Sequence, residues 1–251
     1  VHDVLAALTE QQAELDTLVN PVDDDSWAKP SRCDGWSVSD VVLHLAQTNE
    51  MALASIEGRF VESLAAFVEG VAVSGNVDDG AGALVDKERG EPSIAVYSRW
   101  RAGVDQLMHA FSLVDPHARV QWVAGTLSAH TLCTTRLAET WIHTNDVARG
   151  LGTTLAPAAR IEHIARLAWR TLPYAFERAG RRLRGPVAFE LTAPDGHSQW
   201  VFANGPAKTI VRGPAVELCE VAGQRANASD TSLTAEGPDA ADVLELVRTF
   251  A

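Results

Sequence analysis

Cysteine is scarce in this chain and scattered where it occurs. Cys33, Cys133 and Cys219 are its three cysteines among 251 residues, odd in number and far apart, with no C-x-x-C pair. That spacing excludes a zinc ribbon and a disulfide framework, and it predicts a reduced, cytoplasmic protein. Long apolar runs are lacking too: nothing approaches the roughly 18 residues of a membrane span. The opening VHDVLAALTEQQAELDTL is amphipathic and acidic, without the basic start and apolar core of a signal peptide. Positive charge is in deficit, with 21 Lys and Arg against 33 Asp and Glu and a formal net charge of -12. Such a field repels phosphate backbones and anionic lipid, so neither nucleic acid nor membrane is an expected partner. A small anionic substrate stays admissible, because one metal ion or arginine inverts the field inside a pocket.

What is present reads as two kinds of text. Leu5, Leu8, Leu15 and Leu18 recur at helical intervals, and Asn20-Pro21 ends that helix. Ser37 followed by Asp40 is a capping-box pattern, so a second helix starts near Val38 and runs past Ala54. Residues 72–92, rich in Gly, Asp and small residues, read as a mobile loop. A third helix spans about Ile94 to Leu113, Val120 to Thr126 reads as a loop carrying Trp122, and a fourth helix runs from about Ser128 to Ala148. Four long helices with moderate loops predict a bundle. After Pro157 a fifth helix (about Ala158 to Ala179) leads into a hairpin around Pro194-Asp195-Gly196, then strands at Lys208–Val211 and Thr231–Thr234, with helices at Val216–Ala222 and Ala240–Phe250. The expected fold class is α+β: a helical domain over 1–153 and a smaller α+β domain over 154–251.

Glu139 and His143 stand four residues apart on the fourth helix and so project from one face, about a turn apart. Leu132, Thr135 and Ile142 lie on or beside that stripe, which turns the polar pair inward. His44 borders the apolar face formed by Val41, Leu45, Thr48 and Ala52 on the second helix. Two histidines and one carboxylate from two helices form a three-ligand metal site with open positions, as a catalytic rather than structural ion requires. An E-x-x-x-H pair is also common as a salt bridge, and a histidine beside an apolar face as a satisfied core residue. Spacing therefore raises the metal reading without deciding it.

Two segments carry a resemblance. CDGWSVSDVVLHLA (Cys33 to Ala46) and TRLAETWIHTNDVARGLG (Thr135 to Gly152) resemble the two signature helices of the mycothiol-dependent maleylpyruvate isomerase family. The resemblance implies a DinB-like four-helix bundle followed by a small, sterol-carrier-like α+β domain. It implies that His44, Glu139 and His143 are metal ligands, since each falls on a ligand position of the motifs. It further implies a divalent ion, Zn2+ by this ligand set with Ni2+ or Fe2+ also suited, and mycothiol as co-substrate. Near the C-terminus LTAPDG, GPAVELCEVAGQR and TAEGPDA are similar to an uncharacterised actinobacterial subgroup.

Arg225, in the AGQR segment, corresponds to a family arginine that faces the active site, with Gln-Arg here in place of Gly-Arg. It is the candidate catalytic residue, since guanidinium binds a substrate carboxylate bidentately; Arg212 and Arg136 are lesser candidates for that role. Asp146 either orients a ligand imidazole or pairs with Arg149 or Arg136. Trp36 is expected to pack the start of the second helix, Trp122 to border the pocket or the core, and Gln47 and Thr48 to line the cavity. The expected activity is isomerisation of, or thiol transfer to, a small unsaturated acid by a monomer or homodimer. A metal-dependent hydrolase and a non-catalytic metal-binding bundle are the alternatives.

Overall fold

The computed structural model describes residues 4–20, 22–70, 77–123 and 125–249. Two of its long helices begin where a side chain satisfies one of the first free backbone N–H groups. After α1 (Val4–Val19) and the short α2 (Asp24–Trp27), α3 (Val38–Ile56) opens on a full capping box. The Ser37 hydroxyl accepts from the Asp40 N–H, and the Asp40 carboxylate accepts from the Ser37 N–H at 2.8 Å. Next come α4 (Phe60–Phe67), α5 (Val77–Glu88), α6 (Ser93–Leu113) and α7 (Ala129–Gly150), the last capped by Ser128, whose hydroxyl accepts from the Thr131 N–H. The bundle core joins Leu15 and Val19 of α1, Val38, Val41, Val42 and Leu45 of α3, Val96, Trp100 and Val104 of α6, and Val147 of α7.

Three local expectations are corrected. Residues 72–76 of the predicted loop lie outside the described residues, but Val77–Glu88 is helix α5. Gly80 and Gly82 disfavour it locally by up to about 1 kcal/mol each. Burial of Leu84 and Val85 and the bonds from Gln47 Nε2 to the Leu84 carbonyl and the Glu88 carboxylate, each 3.0 Å, favour it. The segment around Trp122 is an antiparallel hairpin, β1 (Arg119–Trp122) with β2 (Gly125–Ser128), and Val120 and Trp122 are its buried alternate positions. The single fifth helix is two, α8 (Glu162–Arg170) and α9 (Leu172–Arg178). Pro173, in the first turn of α9, supplies no N–H to continue the preceding ladder.

Beyond α9 a four-stranded sheet runs in the order β4-β3-β5-β6. The strands β3 (Val187–Thr192) and β4 (Gln199–Phe202) form the expected hairpin, and Gly196 takes the left-handed backbone its turn needs. β5 (Thr209–Pro214) pairs parallel to β3 and antiparallel to β6 (Thr234–Glu236), three residues beyond the predicted start of that strand. Helices α10 (Ala215–Ala222) and α11 (Ala240–Leu246) complete the α+β part. The described residues form two compact units: one holds those up to Arg136 with His143–Leu155, the other Leu137–Ile142 with those from 156 to 249. No helix among the described residues is long and apolar enough to cross a membrane.

The turn before α3 is fastened to the end of α7. The Arg32 N–H donates to the Asp146 carbonyl at 3.3 Å, and Gly150 leaves no room for a side chain. A Cβ there would lie 2.7 Å from the Pro30 carbonyl oxygen and 3.0 Å from the Ser31 Cα. Both are backbone atoms and cannot swing away, so Gly150→Ala is expected to cost about 1–3 kcal/mol. A urea titration checks this by a lower midpoint at unchanged slope.

Candidate metal centre

From Leu132 to Thr144 every residue of α7 is buried, although Arg136, Glu139 and His143 lie in that stretch. A helix buried all round is ordinarily apolar. Here its polar groups meet partners on the neighbouring helices. Arg136, fully buried, donates to the Thr48 hydroxyl at 2.9 Å and the Asn49 carboxamide oxygen at 3.1 Å, both on α3. Thr144 accepts from Gln11 Nε2 of α1 at 3.1 Å.

His44, Glu139 and His143 are brought together. Their relative exposures are 7%, 6% and 9%, so bulk water does not solvate the carboxylate. One donor atom from each lies within 4.8 Å of the others. The two imidazoles meet edge to face, ring centroids 4.9 Å apart. Burying a carboxylate costs several kcal/mol unless a cation or hydrogen bonds compensate, and a cation between two imidazoles and a carboxylate does so. The donor set, two nitrogens and one oxygen, fits a divalent ion.

Trp36 does more than pack the start of α3. Its half-buried indole lies 5.2 Å from the His44 ring and 6.5 Å from the His143 ring, nearly parallel to the latter. A second donor group overlaps the first: Cys33, His143 and Asp146 also bring three donor atoms within 4.8 Å of one another. His143 Nδ1 is 3.0 Å from Asp146 Oδ2, and Cys33 Sγ donates to the same oxygen at 3.2 Å. Cys33 escaped sequence reasoning because its partner lies 113 positions away. The turn-forming text before Ser37 was the available signal that this segment folds back.

Other candidates separate. Trp122 packs against Phe60 in the core. Gln47 is turned to α5, and Thr48 donates to the His44 carbonyl at 2.9 Å while receiving Arg136. Arg136 is thereby committed to holding α3 and α7 together, and Arg212 to Glu190 and Glu236. Cys133 and Cys219 are buried, and burial pushes the Cys219 thiol far above its ordinary range.

Arg225 sits in the turn after α10. Its N–H donates to the Glu220 carbonyl at 2.7 Å and its guanidinium to the Gly223 carbonyl at 3.1 Å. Gln224 before it adopts φ 59°, a left-handed conformation uncommon outside glycine. Gly223 touches α7 itself: a Cβ there would lie 2.9 Å from Ile142 Cγ1.

Residues 8–148 match the mycothiol maleylpyruvate isomerase N-terminal domain. The chain belongs to the mycothiol maleylpyruvate isomerase family. An uncharacterised protein of Mycobacterium tuberculosis, from strains CDC 1551 / Oshkosh and H37Rv, is 31% identical over 250 residues, covering 98% of this chain and 95% of the relative. The crystal structure of the mycothiol-dependent maleylpyruvate isomerase is similar at a TM-score of 0.61 and 19% identity, over 94% of each chain. A histidine-to-alanine mutant of that enzyme matches at 0.59 and 20%, again over 94% of each. At such identities the likeness establishes the shared α+β fold of the family.

The buried arginine gives a direct test of α7 docking. Hydrogen bonds to a charged group contribute about 1.5–3 kcal/mol each. Arg136→Ala is therefore expected to destabilise by at least about 3 kcal/mol. Arg136→Lys should recover only part of this, because an ammonium lacks the planar fork. Denaturant unfolding of the three proteins measures both differences.

Proposed function

We propose that this chain is a metal-dependent enzyme of its family, holding one divalent ion, Zn2+ by its donor set, through His44, Glu139 and His143. It uses a low-molecular-weight thiol, mycothiol, for isomerisation of, or thiol transfer to, a small unsaturated organic acid. The observation that carries this reading is the convergence of two imidazoles and a carboxylate, all nearly buried, from α3 and α7. The metal-holding part is assigned to residues 1–153, and residues 154–251 supply the C-terminal domain.

A bound divalent ion lowers the pKa of a thiol or water, so that a nucleophile is available at neutral pH. The protein's own contribution is placement. His44, Glu139 and His143 bind as three ligands and leave positions open. The Trp36 indole lies beside both imidazoles. Arg225, held by the Glu220 and Gly223 carbonyls, is assigned the substrate carboxylate, whose two oxygens match its fork.

Elemental analysis of purified protein, wild type beside His143→Ala, tests the reading at its base. The expected result is about one equivalent of metal in the wild type, and a loss of affinity in the variant beyond the roughly 10–100-fold cost of removing an outer partner. Unchanged metal content in His143→Ala would refute the site. With metal established, turnover of an unsaturated acid should require both the ion and added thiol. Turnover that persists after the thiol is withdrawn would make water the nucleophile and the protein a hydrolase.

A further inference from the structure

The two overlapping donor groups make competing claims on His143, and the hydrogen bonds decide between them. An ionised carboxylate only accepts. An ionised Asp146 Oδ2, 3.0 Å away, accepts from Nδ1 of His143 and leaves the ring lone pair on Nε2. The Cys33 thiol is 3.8 Å from Nδ1 but 3.2 Å from the carboxylate oxygen, so its proton goes to Asp146. We infer that Asp146 and Cys33 are not ligands of a second metal position. They are a positioning pair that fixes the tautomer and ring orientation of His143 toward the ion shared with His44 and Glu139. This rests on the metal reading above and adds two residues to it.

The pair is itself held rigidly. The Asp146 side chain is fully buried, and its carbonyl receives the Arg32 N–H. Cys33 sits in a turn closed by the Trp36 N–H to its own carbonyl at 3.0 Å and by the Ser31 hydroxyl accepting its N–H at 3.1 Å. The carboxylate oxygen therefore lies between a thiol and an imidazole whose backbones are both fixed. A carboxylate behind a ligating histidine raises the basicity of the ring and prevents it from turning. A thiol donor on the same oxygen draws off part of that charge, so Cys33 moderates what Asp146 supplies.

Co2+ is the probe, because its visible spectrum reports ligand geometry and a coordinated thiolate adds strong near-ultraviolet charge-transfer absorption. Metal-free wild type, Asp146→Ala, Asp146→Asn and Cys33→Ser are each titrated with Co2+, with Zn2+ competition giving affinities and thermal melts of the metal-free proteins reporting folding. Wild-type Co2+ protein should show no thiolate absorption, and Cys33→Ser, which keeps a donor to Asp146, should bind with nearly wild-type affinity. Asp146→Ala should weaken Zn2+ by about 10–100-fold and alter the Co2+ visible bands. Asp146→Asn keeps the volume and an acceptor oxygen, so it should fall between the two, which a merely structural role would not produce. Asparagine and alanine variants with wild-type affinity and spectrum would overturn the positioning role while leaving the metal site standing. Thiolate absorption lost in Cys33→Ser would overturn it by placing the ion on the cysteine side. Wild type that binds neither ion would remove the metal reading itself, and this inference with it.

Discussion

Helix α7 has to be buried while carrying charge, and the rest of the bundle is arranged around that demand. Arg136, Glu139, His143 and Asp146 sit within three turns, each nearly or wholly out of water. In an interior of low dielectric a polar group without a partner costs more than most single contacts contribute. Each neighbour therefore brings specific atoms as well as apolar surface: α3 brings Thr48, Asn49 and His44, α1 brings Gln11, and the turn before α3 brings Cys33 and Trp36. Apolar packing alone would tolerate a small rotation of α7. These pairings do not, because turning the helix by one residue would strand several of them at once.

That constraint explains why the turn before α3 is built so tightly. It must deliver Cys33 to Asp146 and Trp36 to two imidazoles, and it must also start α3 in the correct register for His44. The Ser37–Asp40 capping box sets the register. Arg89 Nε, 3.1 Å from the second oxygen of Asp40, ties the same residue to the end of α5. Gly150 lets the turn approach α7 more closely than any side chain would allow. Cap, glycine and thiol lie far from one another along the chain and act on one small volume.

How much of this was readable from the sequence follows from the range of each interaction. The Glu139–His143 pair was legible because a helix repeats every 3.6 residues and the spacing alone puts both on one face. The start of α3 was legible because a capping box is local. Helix α5 was not: its glycines argue for a loop, and its stability comes from Leu84, Val85 and contacts with α3 some 40 positions away. Nor was the role of Arg136, a plausible anion anchor until its burial against Thr48 and Asn49 is known. Residues whose meaning depends on a distant partner are silent in one sequence. Asp146 stood between the two cases, its face given by the helix but its choice between imidazole and arginine left to the fold.

The same distinction bears on chemistry. The donors of α3 and α7 determine that an ion fits, and they would serve many reactions equally well. What an ion acts on depends on groups that recognise the rest of a substrate. Arg225, proposed above for such a task, follows a non-glycine residue with left-handed backbone and, two positions earlier, a glycine against Ile142. The left-handed Gln224 and the Arg225 N–H donating to the Glu220 carbonyl close α10 in the usual way of a helix C-terminus. On the proposed reading, selectivity is to be sought in that turn and reactivity in the three buried donors.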